Sequence, residues 1–219
     1  FVETVKQWPT PPYTFSVSVW FRTATAGVSA VILGGTSAQE AAATSWDRMM
    51  WIDPAGHLTF GVWPGYAVQI GSSQTTTKNY ADAQWHHAVA TVAPVSASVG
   101  AVRLYADGAL VASNTTYGIS GGQTAQNYNG WWHVGWAQTI IYWANPASTS
   151  YFKGSLADVA VFPTELTAAQ VTQLATRTTQ AAEASAISAL SPTSSWLLQD
   201  PPTTGYGGPI ANVPANRDR

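Results

Sequence analysis

The segment VRLYADGALVAS, Val102 to Ser113, decides the fold class. Asp107 and Gly108 separate two apolar runs, and Asp-Gly in that setting is among the strongest short-range signals for a hairpin. Working outward, Trp85–Ala93 reads as the preceding strand, while Ala101–Ala106 and Ala109–Ser113 are the hairpin arms. Near the front, Phe15, Val17, Val19 and Phe21 alternate with Ser16, Ser18, Trp20 and Arg22, the period-two pattern of a half-buried strand. Ala30–Leu33, Arg48–Ile52, Leu58–Trp63, Ala67–Ile70, Trp132–Trp136 and Lys153–Phe162 extend the series, with Asp53-Pro54-Ala55-Gly56 as a tight turn. Short strands with regular turns and no intervening helix imply an all-β antiparallel sandwich or barrel.

The period changes at ELTAAQVTQLATRTTQAAEASAISAL. Thr167 and Gln170 have the spacing of a capping box, which predicts a helix over Ala168–Ala175 with a continuation toward Leu190. From Ser191 the composition turns to Pro, Thr and Gly. The chain therefore divides into 1–190, a sandwich carrying a C-terminal helix, and 191–219, an extended arm or the start of a following module that could complete the sheet.

A chain of 219 residues is long enough for one domain with a sizeable core. A net charge of -2 without a Lys/Arg run gives no field for phosphates, so nucleic acid is excluded as a partner. No apolar run has the length of a membrane helix, so no membrane insertion is expected, and the start at Phe1 reads as an excised piece or a mature form. The absence of cysteine excludes disulfides and thiolate metal sites. Low charge with 18 glycines and 13 prolines suits a bacterial or viral surface protein.

Three stretches together resemble the laminin-G-like branch of the concanavalin A-like lectin/glucanase superfamily: FSVSVWFRT (Phe15–Thr23), WHHAVATV with VRLYADGALVAS, and YFKGSLADVAVFPTELTAAQVTQL (Tyr151–Leu174). The resemblance covers about Tyr13 to Leu174 and implies two curved antiparallel sheets in a jelly roll. The Y-W-x-L-D strand that often opens such domains has its nearest match in SSWLLQD, Ser194–Asp200, at the other end. LSPTSSWLLQD also looks like the start of such modules in actinobacterial surface proteins and phage tail proteins.

The resemblance raises two chemistries. Glycoside hydrolases of the superfamily use two carboxylates on one strand, and catalysis needs them about 5–5.5 Å apart for retention or about 6.5–9.5 Å for inversion. No carboxylate pair at i and i+2 or i+4 of one strand occurs here; Asp47 and Asp53, the nearest pair in sequence, are six residues apart and border a turn, and only distant residues could converge. Calcium is held in many related modules by a carboxylate and loop carbonyls. Asp158 stands where relatives carry an acidic residue, although Ala157 replaces a second Asp. The alternative for Asp158 is a carboxylate capping backbone N–H groups. His86 and His87 point to opposite faces of one strand and cannot chelate together. Asp107 reads as a hairpin residue alone.

Eleven tryptophans and nine tyrosines exceed ordinary core filling. In NGWWHVGW, Asn129–Trp136, parity turns Trp132 and Trp136 inward with Val134 and leaves Trp131 and His133 outward. The same parity puts Trp51 opposite Met50 and Ile52, and Trp63 opposite Leu58, Phe60 and Val62. Trp51, Trp63, Tyr66, Trp131, Tyr142 and Trp143 are thus candidates for one aromatic surface, with Asn127, Asn129, Gln138 and His133 beside it to bond sugar hydroxyls. A sheet covered by long loops would bury the same rings, and the sequence leaves both readings open. The expectation is a non-catalytic binding or adhesion module of a larger extracellular, cell-surface or virion protein. It would bind a glycan or a surface protein and adjoin neighbouring domains of its parent chain, with one structural calcium ion at Asp158 as the sole cofactor considered. The competing expectations are a structural spacer and a glycoside hydrolase.

Overall fold

The computed structural model describes residues 1–8, 10–24, 30–39, 42–71, 77–137, 143–146, 149–177 and 179–198. The elements run β1 (Val2–Glu3), β2 (Phe15–Arg22), β3 (Ala30–Thr36), β4 (Trp46–Ile52), β5 (Leu58–Val62), β6 (Val68–Gly71), β7 (His86–Pro94), β8 (Val99–Ala106) and β9 (Ala109–Gly118). They continue with β10 (Trp131–Val134), β11 (Ser155–Phe162), α1 (Ala168–Ala175), α2 (Gln180–Ala189) and β12 (Ser194–Trp196). Two six-stranded sheets result, ordered β1-β10-β3-β4-β5-β6 and β12-β11-β2-β7-β8-β9. Every named pairing is antiparallel, and the sheets stack as the expected all-β jelly-roll sandwich.

The alternation along β2 carries into packing. Phe15, Val17, Val19 and Phe21 are fully buried between the sheets with Phe60, Leu104 and Val134. Each such side chain contributes about 1.5–3 kcal/mol on leaving water. The outer face of the second sheet is buried too, because Val171 and Leu174 of α1 and Ile187 of α2 cover Val89, Tyr105, Ala160 and Phe162. This two-sided burial explains why β7 is closed to solvent from His86 through Ala93.

At the start of α1 the capping box forms: Thr167 Oγ1 accepts from Gln170 N–H, and Gln170 Oε1 accepts from Thr167 N–H. The helix ends at Ala175 instead of continuing, and a second one starts at Gln180. Threonine chemistry explains the break. Thr176 Oγ1 donates back to the carbonyl of Thr172, and Thr179 Oγ1 caps α2 by accepting from Ala182 N–H.

Asp107 (φ 52°) and Gly108 (φ 82°) form the β8–β9 hairpin with Ala106 opposite Ala109. Asp107 is more than a turn residue, contrary to the sequence reading. Its carboxylate accepts from His87 N–H, Lys78 Nζ and His86 Nδ1 at 2.9–3.0 Å. Burial pushes it up, but these bonds hold it well below the usual carboxylate range.

A second correction concerns Trp136. The strand ends at Val134, and Gly135 takes φ +76°, so the alternation stops there. Trp136 joins His133 on the outer face, ring centroids 5.0 Å apart, while Trp132 packs inward on Trp8 and Phe15. At the C-terminal side, β12 pairs Trp196 with Val159 and Ser194 with Val161, placing this part of 191–219 inside the second sheet.

Candidate functional site

The predicted aromatic surface divides when its residues are placed. Trp51 is fully buried and Trp143 is 5% exposed; they pack together at 5.8 Å in a small core on the outer face of the first sheet with Val31, Met49 and Ala137. Trp51 Nε1 donates to Asn145 O, so its polar end is occupied too. His133 is sealed, with Nε2 2.8 Å from Thr36 Oγ1. Tyr66 is exposed, and its hydroxyl donates to Gly118 O. Asn129 is exposed, and Trp131 is half-buried with no partner for Nε1 among the described residues. Tyr142 and Gln138 lie outside the described residues.

One part of the surface does hold together. Trp63 meets Trp143 edge-on at 6.1 Å, and with Trp46 they line a groove of about 210 Å³ flanked by Thr44, Ser45 and Gln126. Gly61 makes this possible: a Cβ there would lie 2.5 Å from the Trp143 ring, so the indole rests on bare backbone. Among the described residues no charged side chain lines the groove.

Trp46 was missed by parity, for a physical reason. Between Met50, opposite Leu33, and Asp47, opposite Gly35, β4 carries one residue more than β3. This bulge centres on Arg48, at φ +56°, and inverts the phase of the strand. Trp46, which would otherwise share the inward face of Met50 and Ile52, packs with the outer cluster instead. It lies opposite Thr36, which lies opposite Trp131, so the two indoles occupy one cross-sheet row two strands, or about 10 Å, apart.

The groove walls are tied together underneath. Asp47 Oδ2 accepts from Trp63 N–H (3.1 Å) and Gln126 N–H (2.8 Å), and Oδ1 accepts from Tyr128 Oη and from Arg48. Arg48 also donates to Pro12 O and Gln126 O and sits 5.2–5.8 Å from the Tyr128, Trp8 and Phe15 rings. Both charged side chains are fully buried, and burial together with adjacent Asp47 pushes the Tyr128 hydroxyl well up. The polar atoms of this network hold one strand, one turn and one loop in a fixed relation beneath the indoles.

Two other polar arrangements bear on chemistry. Ser18 Oγ and His87 Nε2 lie 2.9 Å apart, the spacing of a nucleophile and its base, but both are sealed beneath the helix layer, and burial lowers His87 to about 4. Asp158 occupies a bulge in β11 at φ +49°, and Glu183 of α2 lines the same pocket. This convergence of distant carboxylates was invisible in the sequence. It suits calcium poorly, since the ion wants six to eight oxygens and this pocket offers two carboxylates beside the Arg177 guanidinium and two indoles. Among the described residues no group of three or more His, Cys, Asp or Glu is placed to hold a metal, and no helix is long and apolar enough to cross a membrane.

The family model Laminin_G_3, described as the concanavalin A-like lectin/glucanases superfamily, matches residues 3–172. A native heptameric SAP-like pentraxin from Limulus polyphemus has a similar fold, with TM-score 0.54 and 20% identity over 80% of this chain and 74% of that one. The CBM40 of the Ruminococcus gnavus IT-sialidase, solved bound to alpha2,6 sialyllactose, gives TM-score 0.50 and 11% identity over 73% and 81%. Domains LG4-5 of the mouse laminin alpha1 chain give TM-score 0.47 and 15% identity over 71% of this chain, which spans 37% of that structure. No curated protein sequence matches the chain.

Proposed function

The chain belongs to the concanavalin A-like lectin/glucanases superfamily, and from that premise we propose that it is a non-catalytic module that binds neutral carbohydrate in the Trp46–Trp63–Trp143 groove. One observation carries the reading: three indoles converge on a groove whose other walls, among the described residues, are hydroxyls and an amide without a charge. Indole faces stack on the C–H faces of sugars, and Thr44, Ser45 and Gln126 supply donors and acceptors for ring hydroxyls. The volume of about 210 Å³ suits one pyranose ring and its substituents. That a CBM40 of this fold takes sialyllactose supports carbohydrate as the ligand class. The acid sugar is disfavoured here, because the groove has no cation among its described residues to meet a carboxylate. The module acts outside the cell or on a virion, joined to the other domains of a larger protein.

A glycan array followed by calorimetry tests this. Neutral oligosaccharides should bind, and Trp63→Ala should weaken them at least tenfold with the melting temperature within a few degrees of wild type. An inert array would leave a structural spacer, and release of reducing sugar from a polysaccharide would make the chain a hydrolase.

A further inference from the structure

A second pocket, of about 310 Å³, opens on the opposite sheet between the Asp158 bulge and the first turn of α2. Its walls are Trp20, Trp85, Asp158, Arg177, Thr179 and Glu183. Asp158 is 7% exposed and Glu183 3%. Asp158 Oδ1 and both carboxylate oxygens of Glu183 have no hydrogen-bond partner among the described residues, and neither does Arg177 Nε. The Trp20 indole is close enough to favour the Glu183 anion but lacks the geometry to satisfy it.

Burying a carboxylate without donors costs several kcal/mol in order of magnitude, and native proteins rarely leave such groups open. The bulge accounts for where the Asp158 carboxylate points. An extra residue in β11 turns the Asp158 carboxylate out of the sheet at a backbone conformation that Asp tolerates better than most residues. An ionised carboxylate only accepts, so a fitting occupant brings N–H donors. Among the lining residues two carboxylates face one guanidinium, which leaves one negative charge for a monocation to balance. Indole faces attract cations, and the Trp85 ring already holds the Arg22 guanidinium at 5.2 Å.

We infer that the Asp158–Glu183 pocket binds an organic monocation through N–H donors: a primary ammonium or guanidinium group on a small apolar body. A quaternary ammonium would stack on the indoles yet leave the carboxylates unsatisfied. This site lies on the other sheet from the indole groove and is independent of the reading given to that groove.

Calorimetry on the full chain at pH 8 uses four probes: n-butylamine, butylguanidine, tetramethylammonium chloride and calcium chloride. Butylamine or butylguanidine should bind, with tetramethylammonium at least tenfold weaker. Glu183→Gln should weaken the amine at least tenfold, and Trp63→Ala should leave it unchanged. Trp85 is 41% exposed, so Trp85→Ala keeps the fold and should weaken the amine several-fold, a second readout that leaves both carboxylates in place. No heat with either N–H-bearing probe, equal binding of tetramethylammonium, or calcium binding that Glu183→Gln removes in place of amine binding would each overturn the assignment.

Discussion

Asp47 and Arg48 are consecutive in the chain, yet their side chains form an ion pair with no solvent exposure on either partner. Neighbours in a regular strand point to opposite faces; here the bulge at Arg48 turns them toward each other. A buried pair of this kind is expensive to break because the survivor is left charged in an apolar setting. Asp47→Ala should therefore cost about 3–5 kcal/mol in urea unfolding. Combining Asp47→Asn with Arg48→Met should recover more than half of that loss, since the stranded cation is removed. Equal losses in the single and double variants would show that the pair does not act as a unit.

Gly61→Ala tests the seat of Trp143. A methyl group 2.5 Å from a rigid indole must displace it. The expected cost is about 1–3 kcal/mol, together with a changed near-ultraviolet dichroism and lost carbohydrate binding. A variant that binds as wild type would separate Trp143 from the groove.

Acid should weaken the fold through two histidines. Burial lowers His87 and His133 to about 4 from the ordinary 6.5, opposed by the Asp107 charge for His87 and by the Ala38 backbone contact for His133. Each ring is neutral when folded, so the stability it permits is full above about 6.5 and is lost as pH falls toward 4. Each contributes about 3 kcal/mol over that window. His133→Leu should flatten part of the acid limb, because Thr36 Oγ1 keeps its donation to Ala38 O. An unchanged pH profile of melting temperature in that variant would contradict the assignment.

Glu183 has the opposite sign. Burial pushes it up to about 7, adjacent Asp158 adds to the rise, and Trp20 and Arg177 oppose it. A raised folded value means stability that is full below about 4.5 and is lost as pH rises through 7. Without ligand, Glu183→Gln should raise stability by about 2–3 kcal/mol at pH 8 and leave it nearly unchanged at pH 4. A variant no more stable than wild type at pH 8 would mean that Glu183 is not held unsatisfied.

What the sequence discloses follows from how local each signal is. The Asp107-Gly108 turn, the Thr167–Gln170 cap and the alternation from Phe15 to Arg22 are decided within a few residues, and each reads correctly. Parity carries the outward placement of Trp51 and Trp63 but fails wherever the backbone inserts a step. Gly135 moves Trp136 to the outer face, and the Arg48 bulge hides Trp46. Neither has a sequence mark beyond a glycine or an unremarkable arginine. That outward rings could still be sealed depended on Trp143 packing over Gly61. The meeting of Asp158 with Glu183 required α2 to be a separate helix, which only the threonine cluster of TRTTQ foreshadowed.

The first sheet gains an edge strand by pairing Val2 with Val134, and the second by pairing Val161 with Ser194. The first of these contacts joins points more than 130 residues apart. Loops that long close slowly, so folding should fall in the millisecond-to-second regime of β-rich chains. During synthesis β1 must wait, unpaired, until β10 has left the ribosome.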